Sequence, residues 1–243
     1  MGVSPTDNLR SQMALAISPA TCSGWAADVS FDTEVMTVTV DEFQVADPGD
    51  TWYAAGFSVD ADSVCRIGDV RVRLAGSGTG ILGWTLRGLP SDGPLDGVPT
   101  AWSDSDPAAP AVHANGVTSI DHVVLLSPNL NRTVASLGAV GVRPRRERDG
   151  KLGGQPMRQI FFRLGSVILE VVGAPDAAND GPSSLWGITY VVADIDATAE
   201  FFGDRTLPVK DAVQPGRRIT TLRHRDLGMS VRTAMISPPI LGA

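Results

Sequence analysis

The chain has 243 residues, 43% of them apolar and 19% charged, which is enough to bury a core in one large domain or two small ones. A net charge of −7 argues against general nucleic-acid binding, and no apolar run approaches the ~18 residues of a membrane-spanning helix, so neither a nucleic acid nor a membrane is expected as partner. Two cysteines, Cys22 and Cys65, make neither a disulfide framework nor a four-thiolate zinc site, and a reducing, cytoplasmic setting is the expectation.

Residues 1–30 show no period and are read as a loose tail. Residues 31–89 form a small acidic α/β segment. Its pattern predicts strands at 38–45, 64–67, 70–74 and 81–86, with a short helix at 51–55 ended by Gly56. Pro90, Pro94, Pro99, Pro107 and Pro110 then punctuate a stretch, 90–116, that reads as an extended, mobile linker. The charge changes across it: residues 1–116 carry 15 acidic and five basic side chains, and residues 117–243 carry 12 and 15. The surplus is arginine, and Arg143, Arg145, Arg146 and Arg148 read as a solvated strand edge, with anion binding as the alternative.

Beyond the linker the pattern is regular. Strand 120–126 leads through Ser127-Pro128-Asn129 into a helix at 130–140, and strands follow at 143–148, 157–164 and 167–172. The same order then repeats: strand 185–192, a helix at 195–202 capped by Asp194, and strands at 209–213, 218–223 and 229–236. The fold class is α+β, with tandem βαβββ modules at 117–173 and 184–239 forming one cupped mixed sheet. The 31–89 segment is a candidate degenerate third module.

The tandem repeat, the opening strand Ile120-Asp121-His122-Val123-Val124-Leu125 and the closing strand Ile168-Leu169-Glu170-Val171-Val172 resemble the vicinal oxygen chelate superfamily, and within it the glyoxalase-like proteins. That resemblance covers 117–239. It implies a divalent metal (Zn, Ni, Mn or Fe) held by His and carboxylate ligands from the first and last strand of each module, with open positions for a substrate bearing neighbouring oxygens. It also implies a homodimer. Carried onto this sequence, His122 and Glu170 are the metal ligands of the first module, with Glu170 as the catalytic base. Glu42 holds the His122 position in the upstream copy. A gap-free register puts Gly187 and Thr233 at the matching positions of the second module, and neither is a good ligand.

Arg158, Gln159, Arg217 and His224 are candidate substrate contacts at the cup. His113 falls in the linker, and Trp84 and Trp186 read as core or as stacking platforms. Three functions stay open: a metal-dependent enzyme of lyase, isomerase or dioxygenase type on a small oxygenated metabolite, a metal-free small-molecule-binding protein of the resistance type, and a non-catalytic dimerisation or regulatory domain.

Overall fold

The computed structural model describes residues 37–240, and the tail expected over 1–30 lies outside the described residues. The N-terminal unit comprises β1 (Thr39–Val45), α1 (Gly49–Ala54), β2 (Val64–Ile67), β3 (Val70–Leu74), β4 (Ile81–Arg87) and β5 (Thr100–Ser103). The C-terminal unit begins with β6 (Val117–Leu126), α2 (Leu130–Ala139), β7 (Pro144–Leu152), β8 (Gln155–Leu164) and β9 (Val167–Gly173). It continues with β10 (Ser184–Val192), α3 (Ile195–Phe202), β11 (Lys210–Asp211), β12 (Arg218–Thr221) and β13 (Arg232–Ile236). Both long helices start as the sequence predicts. The Asn129 side chain accepts from the Arg132 N–H, and the Asp194 side chain accepts from the N–H groups of Asp196 and Ala197.

One sheet has five strands in the order β2-β3-β1-β4-β5, and the other has eight in the order β11-β12-β13-β10-β6-β9-β8-β7. The two share one plan. In the larger sheet β6 runs parallel to β9 and antiparallel to β10, which is parallel to β13. In the smaller sheet β1 runs parallel to β3 and antiparallel to β4, which is parallel to β5. The smaller sheet is therefore the larger one trimmed at both edges. The sequence pattern put β4 last in a single upstream module. Its antiparallel pairing with β1 makes it the opening strand of a second, shortened unit, because a closing strand runs parallel to its opener.

The stretch 90–116 carries β5, and the chain beyond it is tied down as a strap. Arg87 Nε donates to the Ser105 carbonyl at 2.7 Å, Arg71 Nη2 to Asp106 at 3.0 Å and Arg66 Nη1 to Ala109 at 3.1 Å. These bonds replace the mobile connection expected from composition.

The core lies between the two sheets. Alternate residues of the central strands (Phe43, Val72, Val123, Leu125, Leu169, Val171, Ile188, Tyr190) join one buried cluster with the helices. Trp52, Phe57 and Tyr190 meet at its centre, with Phe57 and Tyr190 ring centroids 5.4 Å apart. Trp84 is buried there too, its Nε1 donating to Thr100 Oγ1 at 2.7 Å. The tight β8–β9 turn depends on Gly165, at φ +67, where a Cβ would lie 2.8 Å from Thr39 Cγ2.

Candidate functional site

The opposite face of the eight-stranded sheet forms the cup. Its centre is an irregularity in β6. His122 pairs with Thr189 and Ile120 with Tyr190, which leaves Asp121 as the extra residue of a β-bulge. On a regular strand neighbours face opposite ways. Here Ile120 and Val123 both enter the core, and Asp121 and His122 both turn into the cup.

A chain of polar contacts then crosses the cup floor. His122 Nδ1 lies 2.8 Å from Asp121 Oδ2, and Asp121 Oδ1 lies 2.7 Å from Arg217 Nη1. Arg217, only 4% exposed, also donates to the Ser237 carbonyl from Nε at 2.9 Å and Nη2 at 2.7 Å, and to Gln214 Oε1. On the other side His122 Nε2 lies 3.6 Å from Glu170 Oε2, an ion-pair contact longer than a hydrogen bond. Glu170 Oε1 accepts from Gln159 Nε2, and Gln159 Oε1 accepts from Arg148 Nε at 2.8 Å.

The electrostatics follow from this geometry. Burial pulls the His122 pKa down, but the Asp121 hydrogen bond and the Glu170 and Asp121 charges outweigh burial and Arg217, so it sits above the ordinary imidazole value. Burial pushes the Asp121 carboxyl up, yet His122 and Arg217 together hold it below the usual carboxylate range. The floor is thus a row of Asp121, His122 and Glu170 with a buried guanidinium at one end.

Of the residues singled out from sequence, His122, Glu170, Gln159 and Arg217 come together here. Arg158 does not: it lies on the other side of β8 and pairs with exposed Asp149 at 2.6 Å. His224 follows β12 in a loop near Arg232, Arg225 and Asp47, and burial lowers its pKa. His113 is a core residue, its Nδ1 accepting from the Ser58 N–H at 2.9 Å and its Nε2 3.2 Å from the Arg66 carbonyl. Sequence reasoning missed Asp121, because on a regular strand it faces away from His122, and Arg148, because it read as strand edge. An acidic residue beside a histidine inside an apolar strand was the available signal.

The second module contributes differently from the gap-free register. Thr233 shares the core-facing side of β13 with Met235, in line with Val231 just before the strand, and its hydroxyl donates to the Val231 carbonyl at 3.1 Å. Ala234 faces the cup in its place. The connection before β13 is one residue out of step with that before β9, and a slip of one flips every side chain. Gly187 does face the cup, but a Cβ there would lie 2.8 Å from the Arg232 carbonyl oxygen. No side chain fits at that position.

A second bulge shapes the cup wall. Leu185 pairs with Leu125 and Gly187 with Val124, so Trp186 is the extra residue and its indole packs on Val124, Leu126, Leu152, Met157 and Val172. Arg232 stacks over its ring, 4.7 Å from the centroid. Among the described residues, Trp186 Nε1 and Tyr190 Oη are buried side-chain polar atoms without a hydrogen-bond partner, an arrangement that costs about 1–3 kcal/mol each.

No protein-family model matches the sequence, and no curated protein matches it significantly. Solved structures do match. A triple mutant of 4-hydroxymandelate synthase from Streptomyces coelicolor is 14% identical, with a TM-score of 0.57 over 84% of this chain and 94% of that one. BphC, a halotolerant catechol dioxygenase, is 11% identical, with a TM-score of 0.52 over 84% and 88%. A xylose isomerase-like TIM barrel/4-hydroxyphenylpyruvate dioxygenase fusion protein is 14% identical, with a TM-score of 0.53 over 98% of this chain and 54% of that one.

The chain has the vicinal oxygen chelate fold. The tandem modules and the trimmed N-terminal sheet are its architecture, of α+β class. In this fold the cup is where a divalent metal would sit. Here it would draw on His122 Nε2 and Glu170. The facing positions are Gly187, Thr189 and Ala234, and among the described residues no group of three or more His, Cys, Asp or Glu is placed to hold an ion. Two donors fall short of the three or four such sites use. Among the described residues, the donors of this cup therefore do not make up such a metal site.

Proposed function

We propose that the protein binds a small oxygen-bearing molecule in the cup of the eight-stranded sheet without a metal, with His122 and Glu170 as the polar contacts. One observation carries this reading. Asp121, itself held by Arg217, engages His122 Nδ1, and Gln159 engages Glu170 Oε1, which leaves Nε2 and Oε2 facing each other at 3.6 Å. One is a donor and the other an acceptor. Together they suit a hydroxyl group, which accepts from Nε2–H and donates to the carboxylate. A ligand with two neighbouring oxygens would meet the same pair. The apolar residues beside it, Val124, Leu126 and Met157, would take the body of the molecule. A proton held between His122 and Glu170 also lets the pair act as acid and base on such a ligand.

Elemental analysis of untagged protein, beside a His122→Ala variant, tests the metal-free reading. Substoichiometric Zn, Ni, Mn and Fe in both, with no stabilisation on reloading, is the expected result. Near-stoichiometric metal that vanishes in the variant overturns it and returns the site to metalloenzyme chemistry.

A further inference from the structure

The buried N–H of Trp186 is a donor without an acceptor on the cup face, and its place is fixed by the β10 bulge. Along β10, Trp186 lies three residues from Thr189, the partner of His122, so its Cα stands ~10 Å along the strand from that of Thr189 at ~3.3 Å per residue. Between the two polar points Val124, Leu126, Met157 and Val172 make a continuous apolar floor. The cup is therefore polar at two ends and apolar in the middle. Arg232, stacked on the indole, covers the far end with a long flexible chain.

Resting on the reading of the cup as a ligand site, we propose that Trp186 is its specificity residue: its Nε1–H binds a carboxylate or carbonyl oxygen of an elongated, flat, apolar ligand whose hydroxyl end sits at His122 and Glu170. The spacing sets the class. The ligand is an elongated hydroxy acid or hydroxy ketone, rather than a compact metabolite.

The test uses the full chain with two probes, 6-hydroxy-2-naphthoate and 2-naphthol. They share a body and a hydroxyl, and only the first carries the distal carboxylate. Nitrogen-15 indole spectra report Trp186, assigned by the signal missing in Trp186→Phe, and carbon-13 imidazole spectra report His122. With 6-hydroxy-2-naphthoate both signals shift, and Trp186→Phe, which keeps the ring and loses the N–H, weakens that probe about tenfold while changing 2-naphthol less than about twofold. If His122 responds and the Trp186 indole does not, or if the variant weakens both probes alike, Trp186 is only a wall and the inference falls while the ligand site stands. If neither residue responds to either probe, the ligand site falls with it.

Discussion

Glu42 and His122 hold the same place in the two sheets, each following the extra residue of a β-bulge, Asp41 in β1 and Asp121 in β6. The correspondence extends across the neighbouring strand. Arg73 pairs with Gln44 as Glu170 pairs with Val124, and the diagonal contact is 2.9 Å for Glu42–Arg73 and 3.6 Å for His122–Glu170. Asp41 is held by Arg71 and Arg87, as Asp121 is held by Arg217. The N-terminal copy thus keeps the scaffold of the site but closes it with a salt bridge of reversed sense. The C-terminal copy leaves a donor and an acceptor facing each other.

This difference predicts what Glu42→Gln does. Arg73 is 42% exposed, so its ion pair is a surface pair and its loss costs at most about 1 kcal/mol in urea unfolding. The His122 titration followed by NMR should not move. A shift of that titration would mean the two bulges communicate, against their separate networks.

His122 makes stability depend on pH in a definite sense. Asp121 and Glu170 favour the imidazolium, and its folded pKa lies above the ordinary value despite burial. The resulting stabilisation is complete below the ordinary imidazole pKa and is lost as pH rises through the folded one. Wild type should therefore exceed His122→Gln by most at pH ~5.5, with the gap narrowing toward pH ~9. Urea unfolding of both across that range measures it, and a gap that widens with pH contradicts the arrangement.

How the sequence announced these features depended on what each required of neighbouring residues. Strand and helix periods made the tandem βαβββ modules legible, and the caps Asn129 and Asp194 marked both helix starts. His122 and Glu170 were readable because each interrupts an apolar strand. The bulges at Asp121 and Trp186 were not, because an inserted residue is visible only against the partner strand. On strict alternation Asp121 faces away from His122, and the one-residue slip before β13 likewise put Thr233 at the Glu170 position. The strap was hidden for a related reason: proline-rich composition reports extension, while the arginines that tie it lie on β2, β3 and β4.

Asp121→Asn tests the buried end of the row. Arg217 is 4% exposed and Asp121 is its carboxylate partner at 2.7 Å, so the amide leaves the guanidinium with carbonyl acceptors only. Breaking a buried pair from one side costs about 3–5 kcal/mol. Arg217→Met should cost a similar amount, and the double variant less than the two together, because neither charge is then left alone. Simple additivity in the double-mutant cycle would show that the pair is not coupled.

Gly187 tests whether the second half of the cup has room for a ligand side chain. Its Cα sits against β13, where Arg232 O is 2.8 Å and Arg232 Cβ 3.2 Å from any added Cβ. The first contact is backbone, so it yields only if β10 and β13 part. Gly187→Ala should destabilise by about 1–3 kcal/mol, the range for overpacking a tight site. Gly187→His should be no more stable and should take up no zinc, since a side chain that displaces the strand cannot also aim at His122. A stable, zinc-loaded Gly187→His protein would show instead that the strands part easily, and that a third donor was the only thing the cup lacked.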